Sequence, residues 1–248
     1  MKLRFTGTLY GDCKVKKKSS RDFRRCASLL IDDRLLMDAT ADLTDFIDFY
    51  GFPDLRQEIC AVLISAADPK FLSADTLLYL SRGRELSVYG PPEAAALLPP
   101  AEGLRFFPIR PFSMTDILDY KVFALPTDTP GEYNYAVCRD RAILCLPHGG
   151  ILPASVLRAL GGVHFDLLVA NCPLLDAPPT EDIYRCGSLT VWRLMRAVLL
   201  SSGILSERSR FLLTSLPTDK KRSIHDEMTA LAAEEKMTVA SDGYFLTF

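Results

Sequence analysis

The stretch that most constrains this chain runs from Cys60 to Leu80. Cys60-Ala61-Val62-Leu63-Ile64-Ser65-Ala66-Ala67 is an almost uninterrupted apolar run of strand length, and Leu77-Leu78-Tyr79-Leu80 carries apolar residues at helical spacing. Between them lies a short polar turn, Asp68-Pro69-Lys70, and Ser73 stands where it can cap the helix. A buried strand that runs out through a loop into a helix is where α/β proteins gather ligands, outside the carboxyl ends of the strands.

The rest of the chain repeats this alternation. Lys2 to Phe5 reads as a strand followed by a turn at Gly7-Thr8-Leu9-Tyr10-Gly11, and Cys26 to Ile31 with Arg34 to Asp38 reads as a hairpin turning at Asp32-Asp33. A helix from Asp42 to about Tyr50 carries Leu43, Phe46, Ile47 and Tyr50 on one face and stops at Gly51. Leu86 to Tyr89 is a short strand, Pro91-Pro92 opens a small helix, and the Pro-rich segment Pro99 to Pro111 reads as a surface connection. Strands are expected at Lys121 to Leu125, Tyr133 to Cys138, Ala142 to Leu146, Asp166 to Ala170 and Phe211 to Thr214. Helices are expected at Leu152 to Leu160, Ser188 to Ser202 and Ser223 to Glu235, and Thr238 to Phe248 reads as a closing hairpin around Ser241-Asp242-Gly243. Such alternation argues for an α/β class rather than separate α and β domains.

Several blocks resemble the metallo-β-lactamase superfamily, in particular its phosphodiesterase-like and tRNA-3′-processing-like branch. Ser28-Leu29-Leu30-Ile31-Asp32 with Leu36-Met37-Asp38-Ala39-Thr40 is similar to that branch's SSLLID and LIDATPDL blocks, Val88-Tyr89-Gly90-Pro91-Pro92-Glu93-Ala94 to VYGPPEA, and the closing Asp242-Gly243 to its AYDGM tail. Ile64, Pro69, Leu72-Ser73-Ala74-Asp75 and Leu77 to Leu80 keep the frame of the Thr-His-x-His-x-Asp-His signature. The resemblance spreads from residue 1 to 248, and implies a four-layer αββα sandwich built as one domain over 1–248.

The same alignment removes the chemistry that goes with that fold. Two-metal hydrolysis needs imidazoles and carboxylates converging on two cations that activate a bridging water. Ala66, Asp68, Lys70 and Phe71 fall where the signature has His, His, Asp and His. Asp128 or Thr129 stands for the next His, Pro147 or His148 for the bridging Asp, and Ser215 for the His of a later strand end. What remains to line the cleft is Asp68, Lys70, Asp128, His148, Ser215 and Asp242. An ammonium can replace a cation electrostatically, so Lys70 is expected to fill the vacated place and pair with Asp68 or Asp128. A single-metal site for zinc or manganese from Asp68, Asp128 and His148 is the alternative; otherwise no cofactor is expected. His225 is expected to face solvent on the first turn of its helix, and His164 to be structural.

The composition narrows the partners. A formal charge of −2 gives no global pull toward nucleic acid or acidic lipid, so any such attraction must be local. One basic loop stands out: Lys14, Lys16, Lys17, Lys18, Arg21, Arg24 and Arg25, opposed only by Asp22. It reads either as a solvated loop or, with Lys16, Lys17, Lys18, Arg21, Arg24 and Arg25, as an anion clamp at the cleft mouth, near Lys220-Lys221-Arg222. The seven cysteines contain no Cys-x-x-Cys pair and read as small buried hydrophobes. Residues 1–7 lack the apolar core of a signal peptide and no apolar run approaches about 18 residues, so a cytoplasmic protein without a membrane anchor is expected. Two function classes follow: a non-catalytic protein binding a small phosphate-containing anion or a partner, with a dimer among the options, or a divergent hydrolase of phosphodiesters or related esters.

Overall fold

In the computed structural model, which describes residues 1–178 and 185–248, the apolar strands assemble into two seven-stranded mixed sheets. The first half of the chain supplies β1 (Lys2–Gly7), β2 (Ser28–Ile31), β3 (Leu35–Met37), β4 (Ala61–Leu63), β5 (Leu86–Gly90) and β6 (Leu104–Pro108). The second supplies β7 (Met114–Ile117), β8 (Tyr120–Pro126), β9 (Tyr133–Cys138), β10 (Ala142–Leu146), β11 (Leu167–Asn171), β12 (Arg210–Thr214), β13 (Thr238–Val239) and β14 (Phe245–Thr247). The helices are α1 (Leu43–Tyr50), α2 (Leu55–Glu58), α3 (Ala74–Ser81), α4 (Ala154–Ala159), α5 (Leu189–Ser201) and α6 (Ile224–Glu234). Strand order is β14-β1-β2-β3-β4-β5-β6 in one sheet and β13-β12-β11-β10-β9-β8-β7 in the other.

Burial of alternate strand residues makes the layers. Leu3, Phe5, Ile31, Leu35 and Leu63 of the first sheet pack against Tyr135, Ile143, Leu167 and Leu212 of the second, forming the central core. The opposite face of the first sheet, through Leu30, Leu36 and Val62, is covered by Phe46, Ile47, Leu77 and Leu80 of α1 and α3. The opposite face of the second, through Leu144, Leu168 and Leu213, is covered by Val156, Trp192, Met195, Leu199 and Met228 of α4, α5 and α6. The order is helix, sheet, sheet, helix, and the fold is the expected α/β sandwich.

Local sequence explains the element ends. Ser73 caps α3 by accepting from the Thr76 amide, and Gly51 ends α1 in the left-handed region at φ 69°. Asp32 and Asp33, at φ 53° and 57°, make the tight hairpin turn between β2 and β3. α5 buries Leu189, Trp192, Met195 and Leu199 as their spacing predicts, and the Trp192 indole N–H donates to the Asn171 carbonyl at 2.5 Å.

The small helix expected after Pro91-Pro92 forms as a 3-10 helix over Pro92 to Leu97. Two expectations are corrected. The segment 99–111 is not merely a connection, because Leu104 to Pro108 pairs in parallel with β5 as the sheet edge, where one-sided pairing tolerates proline. The closing segment is not a hairpin. β13 pairs with β12 in one sheet and β14 with β1 in the other, so residues 240–244 cross between sheets. The Ala240 amide donates to Leu213 on one side and the Gly243 amide to Phe5 on the other. Gly243 makes the crossing at φ 78°, where a Cβ would come within 2.6 Å of the Tyr50 ring.

Among the described residues no helix is long and apolar enough to cross a membrane.

Candidate functional site

The cleft lies at the carboxyl ends of β3, β4, β10 and β12. Because β3 and β4 are parallel with Met37 opposite Leu63, the residues that follow them emerge side by side. Asp38 turns there at φ 64°, its amide donating to Leu63. Its carboxylate, 3% exposed, accepts from the Ser65 amide and from the Ser65 hydroxyl, both at 2.7 Å. From the other sheet, His148 follows β10 and Pro147, its amide fixed by Asn134 at 3.1 Å, and its Nε2 lies 2.8 Å from Ser65 Oγ. The result is a buried carboxylate–hydroxyl–imidazole chain spanning the two sheets.

The same loop is stitched to the second sheet by its backbone. The Tyr133 amide donates to the Ser65 carbonyl and the Tyr135 hydroxyl to the Ile64 carbonyl, each at 2.7 Å, and Ala66 bridges Glu132. Phe71 lays its ring edge-to-face against His148 with centroids 4.8 Å apart.

Burial dominates the protonation of this chain. Desolvation pushes the Asp38 carboxyl up to about 7 against the two Ser65 hydrogen bonds, and pushes His148 down to about 4 against the attraction of Asp68. At pH 5 to 6 both groups are therefore uncharged, with Asp38–OH donating to Ser65 and Ser65 donating to His148.

Beside Asp38 a small cavity of about 30 Å³ reaches between the sheets, lined by Gly7, Ala27, Ser28, Pro147, Thr214 and Ser215 among others. Such a volume admits about one or two water molecules. The Thr214 hydroxyl on its wall is buried without a hydrogen-bond partner, and Ser215 takes φ 55° as the chain leaves β12.

Of the residues expected to line the cleft, His148 and Ser215 do so. Asp68 is half-buried in its own turn, where it accepts from the Lys70 amide at 2.8 Å. Lys70 does not fill a vacated place. It is exposed, and its ammonium forms no ion pair or hydrogen bond among the described residues, because Pro69-Lys70 turns outward before α3. Asp128 is likewise exposed at the tip of the turn after β8, with no side-chain partner among the described residues, so it neither pairs with Lys70 nor joins His148.

Asp242 belongs to a different cluster, under the amino-terminal loop. Its carboxylate accepts from Thr8 Oγ1 and the Arg25 amide at 2.7 Å and from Arg25 Nη1 at 3.2 Å. Arg25 also pairs with Asp45, and Arg24 donates to Thr8, to the Ala240 carbonyl and to His225 Nδ1. Burial raises Asp242 to about 6 against these donors. Arg24 and Arg25 are 1% and 2% exposed, so they are structural ties and not arms of an exposed clamp. His225 is buried rather than solvent-facing, and accepting from Arg24 requires its Nδ1 to be unprotonated.

The remaining cations of the loop stay outside. Lys18 pairs with Asp45, whereas the side chains of Lys14, Lys16, Lys17 and Arg21 are exposed and form no ion pair or hydrogen bond among the described residues. The loop leaves from Gly7 and returns to Ala27, both on the cavity wall. The Lys14 amide is tied to Thr218 Oγ1 at 2.7 Å, which brings the loop beside Lys220 and Lys221, exposed and without a side-chain partner among the described residues. The loop and the segment tied to it thus carry six exposed cations, Lys14, Lys16, Lys17, Arg21, Lys220 and Lys221, that have no partner among the described residues.

Asp38 and Ser65 are the site residues that motif matching passed over. The signal was present as a carboxylate directly after a strand of only apolar residues, where it must find donors or stay protonated.

Among the described residues no group of three or more His, Cys, Asp or Glu could hold a metal ion. Ala66, Lys70 and Phe71 offer no ligand where the resemblance would put three, and Asp68, Asp128 and His148 do not converge. The described residues do not fit a two-metal centre.

The chain has the metallo-β-lactamase fold. No family model matches the sequence, and no curated protein matches it. Solved structures do. A diphosphatase from the PhnP family superposes with a TM-score of 0.74 at 17% identity, covering 100% of this chain and 97% of that one. The metallo-β-lactamase fold protein YhfI from Bacillus subtilis gives 0.75 at 14%, covering 99% of both chains. Human tRNase Z, short form, gives 0.70 at 13%, covering 100% and 99%. At such identities the likeness is one of fold.

Proposed function

We propose that this protein is a non-catalytic member of the metallo-β-lactamase fold that binds a small phosphate-containing anion at the rim of its cleft. The observation that carries the reading is the set of exposed cations Lys14, Lys16, Lys17, Arg21, Lys220 and Lys221, none paired with a carboxylate among the described residues, on the loop that leaves and rejoins the fold beside Asp38, Ser65 and His148. Uncompensated like charges repel one another, and an anion relieves that repulsion. The solved neighbours include a diphosphatase, which agrees with a cleft shaped for phosphate groups.

Titration calorimetry with phenyl phosphate tests it. The parent is expected to bind saturably, and a Lys16→Ala/Lys17→Ala/Lys220→Ala/Lys221→Ala variant about tenfold or more weaker, the loss shrinking as salt rises. Equal affinity of parent and variant would reject the rim as the site. Metal analysis after exposure to zinc and manganese is expected to find no stoichiometric, chelator-removable metal. Finding one would return the protein to the metal-dependent hydrolases.

One observation favours a second reading, a hydrolase of phosphodiesters that works without metal. His148 Nδ1 makes no hydrogen bond among the described residues, and its Nε2 is backed by Asp38 through Ser65. Above about pH 7, where Asp38 is ionised and Nε2–H donates to Ser65 and Ser65 to Asp38, a water proton taken by Nδ1 would be offset by passing the Nε2 proton toward Ser65 and the Ser65 proton to Asp38. Phosphodiester cleavage in the presence of chelator that disappears in His148→Gln would establish this reading over the non-catalytic one.

A further inference from the structure

A second cleft, of about 560 Å³, opens at the other end of the second sheet. Arg141 immediately precedes β10, Asp166 immediately precedes β11 and Arg210 opens β12, whereas His148, Thr214 and Ser215 stand at the far ends of β10 and β12. Five residues of strand, at about 3.3 Å each, separate the two places by roughly 17 Å.

The charges around this cleft do not balance. Among the side chains that line it, Arg141, Arg208 and Arg210 face the one carboxylate of Asp166. That carboxylate is already engaged: Oδ1 accepts from Arg141 Nη1 at 2.8 Å and Oδ2 from the Ala142 amide at 2.9 Å. Arg208 and Arg210 are exposed, and their guanidinium groups form no ion pair or hydrogen bond among the described residues. Glu207, next in sequence to Arg208, is turned away to Arg196 and Lys236. His164, expected to be structural, is instead exposed on the wall of this cleft, where Ser206 adds a hydroxyl and Phe248 an apolar surface.

Guanidinium groups match phosphate oxygens with two parallel N–H donors, which an ammonium cannot do. Two forks unpaired among the described residues, beside a third held in place by Asp166, leave a net charge of about +2, which one phosphate would match, but spread it over three guanidinium groups in a cleft roomier than one phosphate needs. We propose that this cleft binds a small anion carrying two linked phosphate groups, gripped by Arg208 and Arg210. This site is separate from the cleft rim and does not rest on the reading given for it.

Inorganic pyrophosphate titrated into the full chain by calorimetry, at fixed salt, is the test. The parent is expected to bind pyrophosphate at least tenfold more tightly than orthophosphate. Arg208→Ala/Arg210→Ala should lose about tenfold or more in pyrophosphate affinity, consistent with removing charge-assisted hydrogen bonds. Both side chains are exposed, so circular dichroism should stay unchanged. Arg208→Lys/Arg210→Lys, which keeps charge but not the forks, should recover only part of the affinity. The four-lysine rim variant should bind pyrophosphate through this cleft as the parent does. Equal pyrophosphate affinity in the Arg208→Ala/Arg210→Ala protein, equal affinity for orthophosphate and pyrophosphate, or no saturable binding at all would each overturn the proposal. None of these outcomes touches phenyl phosphate binding at the rim, which is read by the lysine variant alone.

Discussion

Asp38→Ala is expected to cost about 3 to 5 kcal/mol of stability, whereas Asp38→Asn should cost no more than about 1. Alanine removes both acceptors from a closed site, leaving the Ser65 amide unpaired and the Ser65–His148 bond without its anchor. It also places a non-glycine residue lacking a polar side chain at φ 64°, a conformation that Asp and Asn tolerate better than Ala. Asparagine keeps an acceptor for the Ser65 amide and donates to Ser65 Oγ, reproducing the protonated carboxyl. Urea unfolding of the two variants checks this, and an alanine variant within about 1 kcal/mol of the parent would show that the chain contributes little.

The pH dependence provides an independent readout. Asp38 is raised in the folded protein to about 7 from 3.8, so between those values the native state holds a proton that the unfolded chain releases. Its contribution is present below the unfolded value and lost as pH rises through about 7. His148 is lowered to about 4 from 6.5, so its contribution is lost as pH falls from about 6.5 to 4. The two slopes oppose one another over the shared range. Asp38→Asn removes only the first, so its stability relative to the parent should grow by roughly 3 to 4 kcal/mol between pH 4 and 7.5. A constant difference across that range would mean that Asp38 titrates as an ordinary carboxyl.

Asp242→Ala is expected to lose about 3 to 5 kcal/mol by a different route. Arg25 would keep its partner Asp45, but its amide, one guanidinium nitrogen and the Thr8 hydroxyl would lose their shared acceptor in a site closed to water. Because the cluster ties the amino-terminal loop to the crossing between β13 and β14, the loss should appear as lowered global stability. A double variant, Arg25→Met/Asp242→Asn, removes the charge at both ends and should recover part of the loss. A double variant as destabilised as the sum of its singles would show that the two residues do not act as a unit.

Much of the fold was legible because its signals are local. The α5 face of Leu189, Trp192, Met195 and Leu199, the Ser73 cap, the Gly51 stop and the Asp32-Asp33 turn each depend on residues within one or two turns of chain. β6 escaped because Pro99 to Pro111 is rich in turn formers, and only the neighbouring β5 edge makes Leu104 to Pro108 a strand. The candidate site was legible in outline alone. His148 and Ser215 do stand just beyond β10 and β12, but Lys70 and Asp128 turn outward while Asp38 and Ser65 turn in.

By itself the sequence determined that this chain would bury alternating strands under amphipathic helices, for which periods of 2 and 3.6 residues suffice. That these elements form a metallo-β-lactamase-like sandwich came from the resemblance of particular blocks, and the fold bears it out. Only the tertiary structure decided where the polar groups go. Ser65 finds Asp38 across 27 residues, His148 finds Ser65 across 83, and Arg25 finds Asp242 across 217. A buried charge must be satisfied by whatever sheet register and strand order bring beside it, and no local pattern encodes that neighbour. For the same reason seven cations of similar appearance in one loop divide into buried ties at Arg24 and Arg25, a surface pair at Lys18 and four exposed charges without a partner among the described residues.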